Sequence, residues 1–220
     1  IVVPHAESAL RQLESDSAIQ PYVIKELASG TRVGICGITS KVSTEQSSFP
    51  DPGTTFDDER ASAEECVSEL QAEGVSKIVL LTHIGYSQDE SIMVGIPGVD
   101  VIVGGHSHSL LGGDVLVNLG LTPQAAYARL EDGTCVVQAW EYSKVVGRVR
   151  IEFDENGDVL GCSGNAVMPL NTEVFTVRDA DPRFDLDEAD AQIVASYLLD
   201  MGVFVDYGED PVIIDLIGPF

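Results

Sequence analysis

Positive charge is scarce in this 220-residue sequence: twelve Lys and Arg stand against 36 Asp and Glu, for a net charge of −24. Such a balance repels phosphate backbones and anionic headgroups, which argues against nucleic acid as a partner. The acid excess also serves solubility, but a phosphate-bearing substrate would need bound cations to invert the local field. Long apolar runs are missing too. None approaches the ~18 residues that span a bilayer, and the run at 99–103 is bounded by Pro97, Gly98 and Gly104. No membrane span is expected. The phosphate-cradling GxxxxGK[ST], the HExxH and the GxSxG patterns are all absent, which removes P-loop, zincin and serine-hydrolase readings. The sequence opens on Ile1 without a basic start and apolar core, so Ile1 reads as something other than a natural translation start. Cys36, Cys66, Cys135 and Cys162 show no CxxC spacing. They read as buried thiols rather than a disulfide framework, and leave the redox compartment unread.

What is present is ample apolar material, 44% of residues, enough for one large domain or one domain with part of another. Residues 22–27 and 31–38 read as two strands around Gly30, a hairpin. Over 57–73, Ala63, Cys66, Val67 and Leu70 recur at helical spacing with Gly74 just beyond, predicting an amphipathic helix. The apolar runs 77–82 and 99–103 predict parallel strands, with a short helix over 89–96 between them. In such a unit the carboxyl ends of both strands open on one crevice. Residues 105–133 read as a long excursion without regular structure. Residues 134–140, 145–153 and 158–161 predict an antiparallel meander. A last helix is expected over 187–201 with Ile193, Val194, Tyr197, Leu198 and Met201 along its apolar side, and the acidic tract 179–190 marks a domain edge. The order is α/β followed by β-rich segments.

Only four histidines occur, and three sit at the ends of the two expected parallel strands: His83 in Thr82-His83-Ile84-Gly85, and His106 and His108 in Gly104-Gly105-His106-Ser107-His108. Neighbouring strands lie ~4.8 Å apart, so imidazoles at adjacent ends can reach one ion. Neutral imidazole suits Zn²⁺, Mn²⁺ or Fe²⁺, and the paired glycines let backbone approach closely. A cluster of this kind reads as metal-binding.

The stretches KIVLLTHIGYSQDESI and GVDVIVGGHSHSLLGGD resemble the THxGY…D and GGHSHTLL-type motifs of calcineurin-like metallophosphoesterases, in their 5'-nucleotidase branch. IQPYVIKELASGTRVGICGITS and VVQAWEYSKVVGRVRIEFDENGDV are similar to the flanking segments, so the resemblance covers about residues 18–170. It implies an α/β sandwich of two mixed sheets in four layers flanked by helices, incomplete at the N-terminus, with two divalent metals (Zn or Mn) at the sheet edges. Residues 1–172 would be the C-terminal part of that domain. Residues 173–220 would be an acidic linker and a helix leading to a C-terminal substrate domain beyond Phe220. The resemblance assigns His83 and His106 to one metal and His108 to the other. The family's Asp-x-His pair, bridging Asp and Gly-Asn-His-Glu motif, with the catalytic His, would lie upstream; no Asp-x-His or Asn-His occurs in this sequence. The function implied is hydrolysis of nucleotide phosphate esters, extracellular or periplasmic, by an enzyme of which this stretch alone is inactive. Three histidines fall short of the roughly seven or eight ligands that two metals take. The competing expectation is a non-catalytic remnant of the fold kept for binding or assembly.

Other candidates have two readings each. Asp89 either steadies the groups behind the metal ligands or is a helix N-terminal acid. Ser107 and Ser109 either meet phosphate or satisfy turn backbone. Arg148 and Arg150 alternate on a strand as a solvent-facing pair, and His5 reads as an exposed residue near the start. A chain this incomplete is expected to expose core strands and to aggregate.

Overall fold

Local signals place most elements. The computed structural model describes residues 2–3, 8–124, 126–170 and 188–206. In chain order they form β1 (Val2–Val3), α1 (Ala9–Ser15), β2 (Val23–Glu26), β3 (Arg32–Thr39), α2 (Lys41–Ser47), β4 (Thr55–Phe56), α3 (Glu59–Ala72), β5 (Ile78–His83) and α4 (Tyr86–Gln88), which a single π turn (Asp89–Met93) prolongs. Then follow β6 (Val101–Gly104), α5 (Asp114–Asn118), β7 (Arg129–Glu131), β8 (Thr134–Gln138), β9 (Val146–Phe153), β10 (Val159–Leu170), α6 (Glu188–Asp200) and β11 (Phe204–Asp206). Helix α3 begins where Asp58 accepts a hydrogen bond from the Ala61 N–H at 2.9 Å, the capping that satisfies an otherwise orphaned donor. Ala63, Cys66, Val67 and Leu70 are all buried, as the spacing predicts.

The main sheet has six strands in the order β2-β3-β5-β6-β8-β7. β3, β5, β6 and β8 are parallel, and the antiparallel edge strands β2 and β7 close the two sides. Strand periodicity divides its side chains between two faces. Leu80, Ile102 and Val136 stand in register on one face, and all three are buried. Helix α3 packs on that face. Gly34 of β3 makes room for Leu70, since a Cβ there would lie 2.6 Å from its Cδ1. A second sheet, β11-β10-β9, and a two-stranded ribbon, β1-β4, complete the fold.

Several expectations change. The meander does not form: β8 belongs to the main sheet, and β9 and β10 pair antiparallel in the second. The antiparallel partner of β8 is β7, from the stretch read as irregular, which also holds α5. The two are joined by Asp132-Gly133, both at positive φ. That dipeptide is the strongest short-range hairpin signal there is, and it went unread. β10 continues to Leu170, well past the short strand expected at 158–161.

The cysteines are not free thiols. Cys36 is bonded to Cys66, fastening β3 to α3, and Cys135 to Cys162, fastening β8 to β10 and so one sheet to the other. Both pairs lie 27 to 30 residues apart in sequence, so only tertiary structure makes them neighbours.

Helix α6 occupies its expected span but turns Ala191 and Ala195 inward, leaving Ile193 and Tyr197 each 66% exposed. The reading of those two as core-facing is corrected. β11 pairs in parallel with the end of β10, Met168 opposite Phe204. His5 and residues 179–187 of the acidic tract lie outside the described residues. Among the described residues no helix is long and apolar enough to cross a membrane.

Candidate functional site

The carboxyl ends of β3, β5, β6 and β8 emerge together, as parallel strands require. Thr39 stands in register with His83, and Gly104 with Gln138. At this edge the rings of His83 and His106 meet edge to face, with centroids 5.1 Å apart at an interplanar angle of 72°. Gly105 permits the approach, because a Cβ there would lie 3.0 Å from His83 Nδ1. Both rings are exposed.

Two imidazoles sharing one ion bind at ~2.1 Å through nitrogen and then have ring centroids ~5 Å apart at near-tetrahedral angles. The observed separation fits that arrangement. His108 is elsewhere: its Nδ1 lies 2.9 Å from Glu141 Oε2, and its ring meets Tyr142 at 5.2 Å. The structure thus joins two of the three histidines and holds the third apart on a neighbouring carboxylate. Among the described residues no group of three or more His, Cys, Asp or Glu side chains could hold a metal ion.

The loop carrying these side chains is strained. His106 has φ 72° and His108 φ 51°, in the left-handed region that costs a non-glycine residue on the order of 1 kcal/mol. Facing them, Trp140, Tyr142 and Ser143 also have positive φ. Strain of this kind gathers at functional sites, and here it marks two opposed loops, 104–109 and 139–144.

The strand before the second loop was expected from sequence, but neither Gln138 at its end nor the loop itself was singled out as part of the site. Gln138, buried at the end of β8, donates from Nε2 to the Gly105 carbonyl at 2.9 Å. Its Oε1 accepts from Ser107 Oγ at 3.1 Å and from the Ser109 N–H. Glu141 holds His108 while Lys144 bonds its other oxygen at 2.6 Å. That lysine bond, more than the imidazole, keeps the Glu141 carboxyl below its usual range. Lys144 also lies over the Trp140 ring at 4.7 Å.

Ser107 spends its hydroxyl on the protein, accepting from the Tyr86 N–H at 2.9 Å and lying 2.9 Å from Ser109 Oγ. Its turn-satisfying reading accounts for these bonds. Arg148 and Arg150 are exposed on β9.

Asp89 is the outlier. It is fully buried, and among the described residues neither its carboxylate oxygens nor the Thr82 hydroxyl has a hydrogen-bond partner. Burial pushes its carboxyl up to about 6. The Thr82 hydroxyl, near but not in bonding geometry, eases the shift, and the Glu90 charge adds to it. A Cβ at Gly104 would clash with Asp89 Oδ2, so the acid sits directly beneath the start of the histidine loop. It lies in the π turn, a feature often found at functional sites.

No protein-family model matches the chain. A probable 5'-nucleotidase of Treponema pallidum (strain Nichols) is 34% identical over 197 residues, covering 87% of this chain and 32% of that protein. Among solved structures, a 5'-nucleotidase precursor from Thermus thermophilus superposes with a TM-score of 0.64 at 34% identity, over 89% of this chain and 37% of that one. The NAD nucleotidase of Haemophilus influenzae does so with a TM-score of 0.78 at 26% identity, over 98% and 38%. The chain spans about a third or less of the length of the curated relatives it matches.

Proposed function

Given that the chain is homologous to 5'-nucleotidases and to NAD nucleotidase over about a third of their length, we propose that it forms the histidine-bearing half of a two-metal phosphohydrolase site acting on nucleotide phosphate esters. The observation that carries the proposal is the convergence of His83 and His106, 5.1 Å apart at the ends of adjacent parallel strands.

His83 and His106 would hold one divalent ion, Zn²⁺ or Mn²⁺, and His108 a second. When bound, such ions activate water and stabilise the oxygens of a phosphate ester under attack. The chain's own residues orient and support. Glu141 fixes the ring of His108 by accepting from its Nδ1, leaving Nε2 free as a donor to metal, the usual way a carboxylate sets a ligating imidazole. Ser107 accepts from the amide of Tyr86, which links the histidine loop to the turn that follows His83. Asp89 puts negative charge behind the site when ionised, which favours bound cations, whereas the Glu90 carboxylate is already paired with Arg129.

The remaining ligands and the catalytic His come from outside these residues, so the chain alone is inactive in this reading. Residues 1–172 would then be the C-terminal part of a four-layer phosphoesterase domain, and 173–220 an acidic connection onward. The two disulfides support an extracellular or periplasmic location, because such bonds persist in oxidising compartments.

A second reading, a non-catalytic remnant kept for binding, draws on the lack of any three-ligand group among the described residues. Metal analysis separates the two. We expect Zn or Mn to bind the chain in stoichiometric amount and to be lost in His106→Ala. Equal metal content in the native and variant chains undoes the assignment of His106, and no metal in either favours the remnant.

A further inference from the structure

We infer that Gln138 is a positioning residue, whose buried amide sets the course of the backbone from Gly105 to Ser109 and with it the directions of His106 and His108. The inference rests on the metal-site reading above. β8 runs parallel to β6 with Gln138 opposite Gly104, which puts the amide beneath the first residue of the loop. The side chain is 1% exposed.

An amide can make four hydrogen bonds. Three of those of Gln138 go to one short stretch: the Gly105 carbonyl, the Ser107 hydroxyl and the Ser109 N–H. Two left-handed histidines lie within that stretch, and such conformations persist only where the surroundings over-determine them. The histidines themselves are exposed and Glu141 holds only the ring of His108, so the course of the backbone is set by contacts to the segment that carries them. The contacts at Gly105 and Ser107 flank His106, and those at Ser107 and Ser109 flank His108. Gly104 leaves the amide its space, as a Cβ there would lie 3.1 Å from Nε2. His83 is placed independently, at the end of β5 in register with Thr39.

The test uses the 220-residue chain with its native sequence, with Gln138→Leu and with Gln138→Glu. Leu fills comparable volume without polar atoms; Glu keeps the acceptor and loses the donor to Gly105. Long-range ¹H–¹⁵N imidazole spectra of the metal-free chain are compared, together with Zn²⁺ affinity measured against a competing chelator. We expect Gln138→Leu to move the His106 and His108 resonances well beyond those of His83, whose ring feels only the displaced His106 ring beside it, and to weaken Zn²⁺ binding roughly tenfold or more. Gln138→Glu moves the same two and weakens binding less. A role limited to packing would shift all three histidines alike or none, and either result overturns the inference. Should Gln138→Leu fail to fold, Gln138→Glu carries the same comparison. If the native chain takes up no Zn²⁺, the metal-site reading fails, while the imidazole spectra still decide the part played by Gln138.

Discussion

The two faces of the six-stranded sheet differ more than its strands do. On the face under α3, Leu80 and Ile102 are both wholly buried, while their neighbours on the other face, Leu81 and Val103, are 47% and 36% exposed. Parallel strands are normally covered on both sides. Among the described residues the second face is buried toward β8, at Val101, Cys135 and Val137, where the Cys135–Cys162 bond ties down the sheet of β9 and β10. The chemistry divides the same way. Thr82, Gly104 and Asp89 lie together on the closed side, whereas strand alternation puts His83 with Leu81 on the open one. The covered face supplies stability and a costly buried acid; the uncovered face supplies the imidazole that needs access.

The largest expected effect tests what holds the second face partly closed. Closing a loop of 27 residues is worth about 3.5 kcal/mol in chain entropy. Cys162→Ser should lower the unfolding free energy by about that amount and make β9 and β10 the first segments cut by protease. An unchanged denaturation midpoint would mean that side-chain packing alone holds the second sheet.

Adjacent positions on β5 sharpen the contrast between faces. Leu80→Ala should cost about 3 kcal/mol, as large-to-small changes in a closed core do, and Leu81→Ala less than about 1 kcal/mol. Matching losses in urea titrations would show that both faces are covered in solution.

The smallest effect concerns Asp89. Its carboxyl titrates near 3.8 in an ordinary environment and at about 6 when buried here. Below about pH 4 both folded and unfolded chains hold the proton and no penalty arises. Between those values the unfolded chain releases it first, so stability falls as pH rises, and above about 6 the folded chain carries the full cost. Asp100, raised to about 6 by burial against the opposing bond from the Ile78 N–H, acts in the same window. The shift is worth about 3 kcal/mol at pH 7 and an unpaired buried amide gives back about 1 kcal/mol, so Asp89→Asn should gain about 2 kcal/mol there and flatten, without abolishing, the decline between pH 4 and 6. Identical slopes in native and variant chains would show that the acid finds a partner in solution.

What could be read from sequence was what depends on near neighbours. Helix α3, the β2–β3 hairpin and the β5 and β6 runs follow from periodicity and turn residues within a few positions. The placement of His83 beside His106 followed from the geometry of one parallel strand pair. What escaped depends on contacts between distant segments. Cys135 and Cys162 meet because β8 and β10 stack, and no spacing rule announces that. Gln138 reads as one more polar residue at a strand end until the register sets it opposite Gly104. Helix α6 turns Ala191 and Ala195 inward and its larger Ile193 and Tyr197 outward, the reverse of what apolar periodicity predicts. The Asp132-Gly133 turn is the exception: it was local, legible and overlooked.

The bond between Cys135 and Cys162 encloses the segment 136–161, including loop 139–144 and the exposed turn at Asp154-Glu155-Asn156-Gly157. A single cut anywhere in that enclosure leaves two polypeptides on one covalent frame. The piece bearing His83, His106 and His108 would stay tethered to the piece bearing β10, and they would part only when reductant reaches the sulfur bridge.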